Sequence, residues 1–136
     1  MFMSLDFVYV PTANVDRAVD DSVGVLGAEL VWKVREMGTT VACMRLADTG
    51  PAVLLAGHLE GEAPILVYRV ADYRFAVARL REAGVTGLRE LEIPHGPCAS
   101  FRLGESQRYA VYELVRPGVD AHFAGRNDPP PGGDSP

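Results

Sequence analysis

Several features that would point to particular functions are scarce or missing in this sequence. There are two cysteines, Cys43 and Cys98, and their spacing fits neither a zinc motif nor a disulfide framework. No apolar run approaches the roughly 18 residues of a membrane span. No basic segment followed by an apolar one opens the chain, so a cytoplasmic location is the default expectation. Aspartate and glutamate (18) outnumber lysine and arginine (13), which argues against a nucleic-acid partner because such partners require a basic face.

What is present is the composition of an ordinary globular protein. Of 136 residues, 48% are hydrophobic and 23% are charged, which is enough apolar material for a core without disulfides or metals. The length predicts a single domain, which we place at residues 1–125. Residues 126–136, RNDPPPGGDSP, are rich in proline, glycine and aspartate. Such a composition predicts a disordered tail.

An internal repeat is the most informative feature of the chain. The segment MRLAD at 44–48 recurs as FRLGE at 101–105, which lies 57 positions further along. Other matches at the same or nearly the same offset extend the repeat over two halves, residues 5–57 and 64–117. A duplicated half-domain predicts a fold with pseudo-twofold symmetry. Equivalent strands of both halves would then build one binding site.

Each half is predicted to form a β-α-β-β-β unit. Asn14 can cap a helix that stops at Gly27, and Asp72 can cap one that stops at Gly84. Runs of β-branched and aromatic residues between turn residues predict the strands. They span residues 5–10, 30–34, 40–46 and 52–56 in the first half and 65–70, 87–93, 98–103 and 108–115 in the second.

The two units resemble the vicinal oxygen chelate superfamily, which includes glyoxalase I, extradiol dioxygenases, and fosfomycin and bleomycin resistance proteins. The supporting segments are the opening LDFVYVPTANVDRA, the helix end VLGAEL and the closing strand YAVYELVRP, within residues 5–117. The resemblance implies an α+β, glyoxalase-like fold, in which tandem βαβββ modules form a curved mixed sheet with a concave ligand cavity. It also implies a homodimer. Whether the modules pair within one chain or are exchanged between chains stays open.

In metal-dependent members of that superfamily, four strand positions supply His, Gln or Glu ligands. The resemblance places these positions at Phe7, Leu55, Ile65 and Glu113. Only Glu113 can bind a cation, and one carboxylate cannot hold a catalytic transition metal, which usually needs three protein ligands. Shifting the alignment, for example to Tyr9, restores no ligand set. We therefore predict no metal and no cofactor.

The three histidines do not rebuild a metal site in the sequence. His58, His95 and His122 share no spacing that is typical of ligand pairs, so they are interpreted as loop or exposed residues. His95 lies in a loop before a predicted strand, and such loops often border a pocket. The roles of His58 and His95 stay open.

Strand alternation predicts the ligand-binding face, because side chains two residues apart project to the same side of a sheet. An aromatic cleft with one acidic group is typical of a small-molecule site. Alternatively, these residues fill the sheet interior or a dimer interface. The residues assigned to this face are Phe7, Tyr9, Trp32, Met44, Leu55, Ile65, Phe101, Tyr109 and Glu113.

These observations favour a binding protein over an enzyme. The resemblance to the metal-free bleomycin-resistance branch implies a small-molecule-binding protein, whose ligand would be an antibiotic or another aromatic natural product. The net charge of −5 favours a neutral or cationic guest. The alternatives are a lyase- or isomerase-type enzyme with Glu113 as general acid/base, helped by His95 or Tyr109, a metal-dependent glyoxalase or dioxygenase with a non-standard ligand set, and a dimerisation module. Glu113 could instead pair with an arginine.

Overall fold

The computed structural model describes residues 1–36, 38–58, 63–104 and 107–129. Two βαβββ units follow each other along the chain, as the repeat predicts, and a short helix follows them. The first unit consists of β1 (Phe2–Pro11), α1 (Val15–Leu26), β2 (Glu29–Glu36), β3 (Thr39–Arg45) and β4 (Ala52–Ala56). The second consists of β5 (Ile65–Val70), α2 (Tyr73–Ala83), β6 (Thr86–Ile93), β7 (Gly96–Leu103) and β8 (Gln107–Tyr112), and α3 (Val119–Phe123) comes last.

The eight strands of the two units form one curved mixed sheet, and the two helices α1 and α2 pack on its outer side. The strand order is β2-β3-β4-β1-β5-β8-β7-β6. In each unit the first and last strands are parallel, β1 with β4 and β5 with β8, and the units join through the antiparallel pair β1 and β5. The predicted α+β fold is therefore confirmed, and the two modules pair within a single chain.

Both helices begin and end where the sequence predicts. The side chain of Asn14 accepts a hydrogen bond from the backbone N–H of Arg17, and Asp72 does the same for Phe75, each over 3.0 Å. These bonds satisfy amide groups that have no partner in the first helical turn. Gly27 and Gly84 end the helices in the left-handed conformation, which glycine adopts without a steric penalty.

Apolar side chains pack on both faces of the sheet. On the outer face, one core lies under α1 and includes Val19 and Ala42, and another lies under α2 and includes Val77 and Val111. The opposite face, which we call the concave face, carries a third and larger cluster that includes Trp32. Because central strands are apolar on both sides, their sequences do not alternate between apolar and polar residues.

The C-terminal segment departs from the sequence-based expectation. Strand β8 ends at Tyr112 rather than at residue 115, and the chain then crosses the concave face. The expected disorder from Arg126 onward is wrong for residues 126–129, since Lys33 donates to the carbonyl of Arg126 and accepts from the amide of Asp128, both through its backbone. The exposed edge of β2 offers these backbone groups. Residues 130–136 lie outside the described residues.

No helix within the described residues is long and apolar enough to cross a membrane.

Candidate functional site

A continuous row of side chains crosses the concave face from one unit to the other. Each member is the register partner of the next on the neighbouring strand, so the row follows from strand pairing alone. Tyr9 lies at its centre, with Leu54 on one side and Ile65 on the other. The complete row is Trp32, Cys43, Leu54, Tyr9, Ile65 and Arg108.

Four of the predicted site residues lie on the concave face, within its cluster of buried side chains. They are Phe7, Tyr9, Trp32 and Ile65. Phe7 packs against the ring of His95, with the ring centres 4.4 Å apart, and it does not line the two cavities that Tyr9 borders.

Two predicted site residues of the first unit lie on the other side of the sheet. Met44 and Leu55 are buried in the core under α1, so their assignment to the concave face is wrong. The residues that face the cavity side are their neighbours Cys43 and Leu54. The error is a register shift of one residue, which moves every side chain of a strand to the opposite face.

The same shift affects the second unit. Phe101 is buried in the core under α2, and Tyr109 packs against it with the ring centres 5.9 Å apart. Glu113 lies beyond β8, and its Oε1 accepts a hydrogen bond from the backbone N–H of Tyr73 over 2.8 Å. The carboxylate of Glu113 therefore pairs with a backbone amide at the first residue of α2. The structure does not bring Glu113 together with Tyr9.

Two adjoining cavities occupy the concave face. The larger, about 550 Å³, lies under α3 between Trp32 and Phe123, and the smaller, about 190 Å³, lies over β5 and β8. Both are bordered by Tyr9. His58 and Ile93 also line both, so the two cavities adjoin, and together they are called the groove. The side chains that line the smaller space include Ile65, Val67, Arg89, Cys98, Ser100, Arg108 and Ala110.

Tyr9 is the polar centre of this groove. Its side chain is 3% exposed, and its hydroxyl has no hydrogen-bond partner among the described residues. Burial raises the pKa of Tyr9 far above its usual range, so the hydroxyl stays protonated and can donate. A buried hydroxyl without a partner costs about 1–3 kcal/mol, and a ligand acceptor would remove that penalty.

A hydrogen-bonded cluster fixes α3 over the larger cavity. Asp120 Oδ1 accepts from Trp32 Nε1 over 3.0 Å and lies 3.1 Å from His95 Nε2. The hydrogen bond from His95 is the main cause that lowers the pKa of Asp120. His95 is 2% exposed, and its Nδ1 has no partner among the described residues. No local sequence pattern marks this cluster, because its members are up to 88 positions apart along the chain.

Three further titratable side chains border the groove or lie beneath it. His58 stands at its rim, where its Nδ1 lies 2.9 Å from Thr39 Oγ1, and partial burial lowers the pKa of His58. Cys43 and Cys98 are both buried on the concave face. Burial is the largest cause that raises the pKa of each thiol to about 12, so both are neutral and unreactive at physiological pH.

Solved structures of methylmalonyl-CoA epimerases share this architecture. The epimerase from Mycobacterium tuberculosis has a TM-score of 0.69 at 19% sequence identity, with 85% of this chain and 91% of that chain covered. A variant of the Streptomyces coelicolor epimerase in complex with 2-nitronate-propionyl-CoA has a TM-score of 0.69 at 14% identity, with 85% and 97% covered. A hypothetical protein from Bacillus halodurans has a TM-score of 0.65 at 15% identity, with 80% and 92% covered. The protein has the vicinal oxygen chelate fold.

At these identities the similarity concerns the fold alone. No protein-family model matches the sequence, and no curated protein matches it. The solved structures confirm, at the level of the vicinal oxygen chelate fold, the resemblance seen in the repeat and the strand pattern.

The metal site of metal-dependent members does not fit the side chains found here. Apart from Arg108, the first and last strands of each unit, β1 with β4 and β5 with β8, present apolar or phenolic side chains to the concave face, and none is a His, Gln, Asp or Glu. Within the described ranges, no three His, Cys, Asp or Glu residues are grouped so that they could hold a metal ion. The facing residues are Phe7, Tyr9, Leu54, Ala56, Ile65, Val67, Ala110 and Tyr112.

Several groove residues were missed by the sequence analysis. Arg108, Ala110 and Tyr112 are spaced by two residues along β8, so their side chains project to the same face. This period would have placed Arg108 on the concave face once the register was right. Arg89 and Ser100 are register partners on β6 and β7. No local sequence signal marks Arg89, because β6 is an edge strand with polar residues on both faces. Ser100 alternates with Ala99 and Phe101, which are buried under α2, so the two-residue period of β7 would have placed it on the concave face once the register was right.

Proposed function

We propose that the protein binds a small molecule in the concave groove, through an apolar body and a hydrogen bond from Tyr9, without a chelated metal. The observation that carries the proposal is the buried Tyr9 hydroxyl, which has no partner among the described residues and borders both cavities. A few polar groups placed in an otherwise apolar concavity are typical of ligand sites.

The groove walls favour a guest with a substantial apolar surface. Ile65, Val67 and Ala110 form the floor of the smaller cavity, and Trp32 and Val34 contribute to the larger one. Burial of apolar ligand surface against such walls contributes roughly 25 cal/mol per Å² before the costs of association.

An aromatic guest is supported by the rings at the larger cavity. Trp32 and Phe123 meet edge to face with their centres 5.2 Å apart, which is a geometry that a third ring can extend. An antibiotic or another aromatic natural product is therefore the ligand class that we retain. The homodimer implied by the resemblance stays a prediction.

The enzyme hypotheses have less support. A base at Glu113 would require the substrate to lie at the start of α2, on the far side of β8 from Tyr9. A metal-dependent reaction would require ligands where the groove presents Leu54, Val67 and Ala110. The solved neighbours are named as epimerases, and at 19% identity or below that activity does not transfer to this chain.

The proposal can be tested with N-phenyl-1-naphthylamine, a neutral fluorophore whose emission rises in apolar sites. We expect saturable binding by the full chain in the presence of EDTA. Ser100→Leu places a larger side chain in the smaller cavity, and we expect it to weaken binding about tenfold or more because it occupies ligand space. Ala78→Leu on the exposed side of α2 is the matched control and should bind like the wild type.

Two results would overturn the proposal. One is equal binding of N-phenyl-1-naphthylamine by the wild type and by Ser100→Leu, when both proteins have the same native circular dichroism spectrum. The other is binding that appears only after zinc, manganese or cobalt is added and disappears with EDTA.

A further inference from the structure

A further cavity of about 260 Å³ is lined by Phe7, His95 and Tyr112, none of which lines the groove. We call it the His95 cavity. The ring of Phe7 lies 6.4 Å from the ring of Tyr9 in the groove and 4.4 Å from the ring of His95, measured between centres. The volume is below the roughly 300–1,000 Å³ of sites for drug-sized ligands, so the His95 cavity suits a small molecule.

The imidazole of His95 has an unused hydrogen-bonding atom beside this cavity. Its Nε2 lies 3.1 Å from Asp120 Oδ1. Because an ionised carboxylate only accepts, Nε2 carries the proton, and Nδ1 of the neutral imidazole is left as an acceptor. His95 is 2% exposed, and its Nδ1 has no partner among the described residues. Buried polar atoms in folded proteins are nearly always hydrogen-bonded, so this atom calls for a donor from an occupant of the cavity.

Two carboxylates, those of Asp6 and Asp120, line the same cavity. Asp6 Oδ1 accepts from the Ser4 hydroxyl over 2.6 Å, and its Oδ2 accepts from the Tyr112 hydroxyl over 2.5 Å. The two printed hydrogen bonds to Asp120 both end on its Oδ1. A carboxylate has about four lone-pair sites on its two oxygens, so both groups can accept further hydrogen bonds.

The charges around the His95 cavity favour a cation. Arg45 also lines it, so one guanidinium stands against the two carboxylates of Asp6 and Asp120. The hydrogen bond from His95 is the main cause that lowers the pKa of Asp120, and the charge of Arg45 adds to it, so Asp120 is ionised at neutral pH. The formal charge of the whole chain, −5, acts at longer range in the same direction. The cavity therefore combines several acceptors with an excess of negative charge.

We infer that the His95 cavity is a second binding site, which takes a small organic cation. The N–H groups of this cation donate to His95 Nδ1 and to the carboxylates of Asp6 and Asp120. None of these three residues lines the groove, so the inference does not depend on the proposed function.

The spacing of the acceptors favours an organic cation over a metal ion. Within the described ranges, no three His, Cys, Asp or Glu residues are grouped closely enough to hold a metal ion, so the acceptors suit a larger cation that reaches them through separate N–H groups. The apolar side chains of Leu5, Ala52 and Leu114 form another part of the wall. A cation with an apolar body, such as an amidine or a primary amine, matches this mixture of surfaces.

Benzamidine and benzamide provide the test, because they have nearly the same shape and differ by the positive charge. We expect the full chain to bind benzamidine saturably in calorimetric titration, and to bind benzamide about tenfold more weakly, since hydrogen bonds from a cation to a carboxylate are the stronger ones. Asp120 also accepts from the indole N–H of Trp32, the single tryptophan. Benzamidine should therefore shift the one indole N–H resonance in the NMR spectrum.

Two substitutions and a matched control locate the cation. The amide of His95→Gln can still donate to Asp120 but offers no acceptor at the position of Nδ1, so benzamidine should bind about tenfold more weakly. Asp6→Asn keeps an acceptor for Tyr112 and removes one charge, and it should weaken benzamidine several-fold. Asp20→Asn, on the exposed side of α1, makes the same change in net charge and should bind like the wild type. Circular dichroism verifies that each variant is folded.

Three outcomes would contradict the second site. The first is equal affinity of the wild type for benzamidine and benzamide. The second is unchanged benzamidine binding by folded His95→Gln and Asp6→Asn, or an equal loss in Asp20→Asn. The third is a loss in Ser100→Leu as large as that in His95→Gln, which would place the cation in the groove. Benzamidine binding that follows the expected pattern in a protein that does not bind N-phenyl-1-naphthylamine would support the second site and overturn the proposed function alone.

Discussion

The Tyr112 hydroxyl donates to Asp6 Oδ2 over 2.5 Å, whereas the buried hydroxyl of Tyr9 has no partner among the described residues. Both side chains lie on the concave face and are at most 3% exposed. The two tyrosines therefore have opposite relations to the fold. One hydroxyl completes an internal hydrogen bond, and the other is available to a ligand.

Removing each hydroxyl should have opposite consequences. Tyr9→Phe should leave the free energy of unfolding unchanged or raise it by up to about 1 kcal/mol, because a buried group without a partner is lost. Tyr112→Phe should lower it by about 1–2 kcal/mol, since a hydrogen bond to a carboxylate is lost. Urea denaturation checks both values, and a loss of stability in Tyr9→Phe equal to that in Tyr112→Phe would contradict this assignment.

The same pair separates binding from stability. Tyr9→Phe should lose affinity for a ligand that accepts its hydrogen bond, and Tyr112→Phe should not.

A buried ion pair on the outer face gives the second prediction. The Lys33 side chain is only 8% exposed and forms a close hydrogen bond with Asp16, which also pairs with Arg35 over 3.0 Å. Burial alone would raise the pKa of Asp16, but the hydrogen bonds from Lys33 and Arg35 outweigh this effect and lower it. Asp16→Asn should lower the free energy of unfolding by about 2–4 kcal/mol, because it leaves a buried ammonium without its partner.

A second substitution tests that reason. Lys33→Met removes the stranded charge and should recover much of the stability lost in Asp16→Asn. If the two changes are simply additive in a double-mutant cycle, Asp16 and Lys33 are not coupled and the explanation fails.

Glu113 gives the third prediction, because the structure assigns it a role at the start of α2. Its carboxylate accepts from the amide of Tyr73, where a negative charge also favours the helix dipole. Glu113→Gln should lower the free energy of unfolding by about 0.5–1 kcal/mol and leave the binding of N-phenyl-1-naphthylamine unchanged. A large loss of dye affinity without a loss of stability would instead restore Glu113 to the binding site.

The duplication, the order of elements and the helix ends were predictable because their signals are local. Asn14 and Gly27 mark the ends of α1 by their own chemistry, and the repeat locates their counterparts in the second unit. The fold could be predicted from these signals together with the strand pattern.

The faces of the central strands could not be predicted in the same way. Leu54 and Leu55 are both buried, one on the concave face and one under α1, so neither position has a polar neighbour to mark the solvent side. The same holds for Ala110, Val111 and Tyr112 on β8. Where both faces of a sheet are covered, hydrophobic pattern cannot choose between two registers.

Asp120 gives the last prediction, because it connects α3 to the groove. Asp120 accepts from Trp32, the single tryptophan of the chain, so the environment of that ring reports whether α3 is in place. The hydrogen bond from His95 is the main cause that lowers the pKa of Asp120 below its ordinary value of 3.8. A lowered folded-state pKa stabilises the protein fully above the unfolded value, and this contribution is lost as the pH falls through the folded value.

Acid should therefore loosen α3, and the emission of Trp32 should shift to longer wavelength as the pH falls below 3.8. Asp120→Asn should show part of that shift already at neutral pH, because an amide accepts more weakly from His95 and Trp32 than a carboxylate does. Asp48→Asn, which changes an exposed loop carboxylate, should leave the neutral spectrum unaltered. An Asp120→Asn spectrum identical to that of the wild type at both pH values would show that Asp120 does not hold α3 against the groove. The larger cavity would then not depend on this contact.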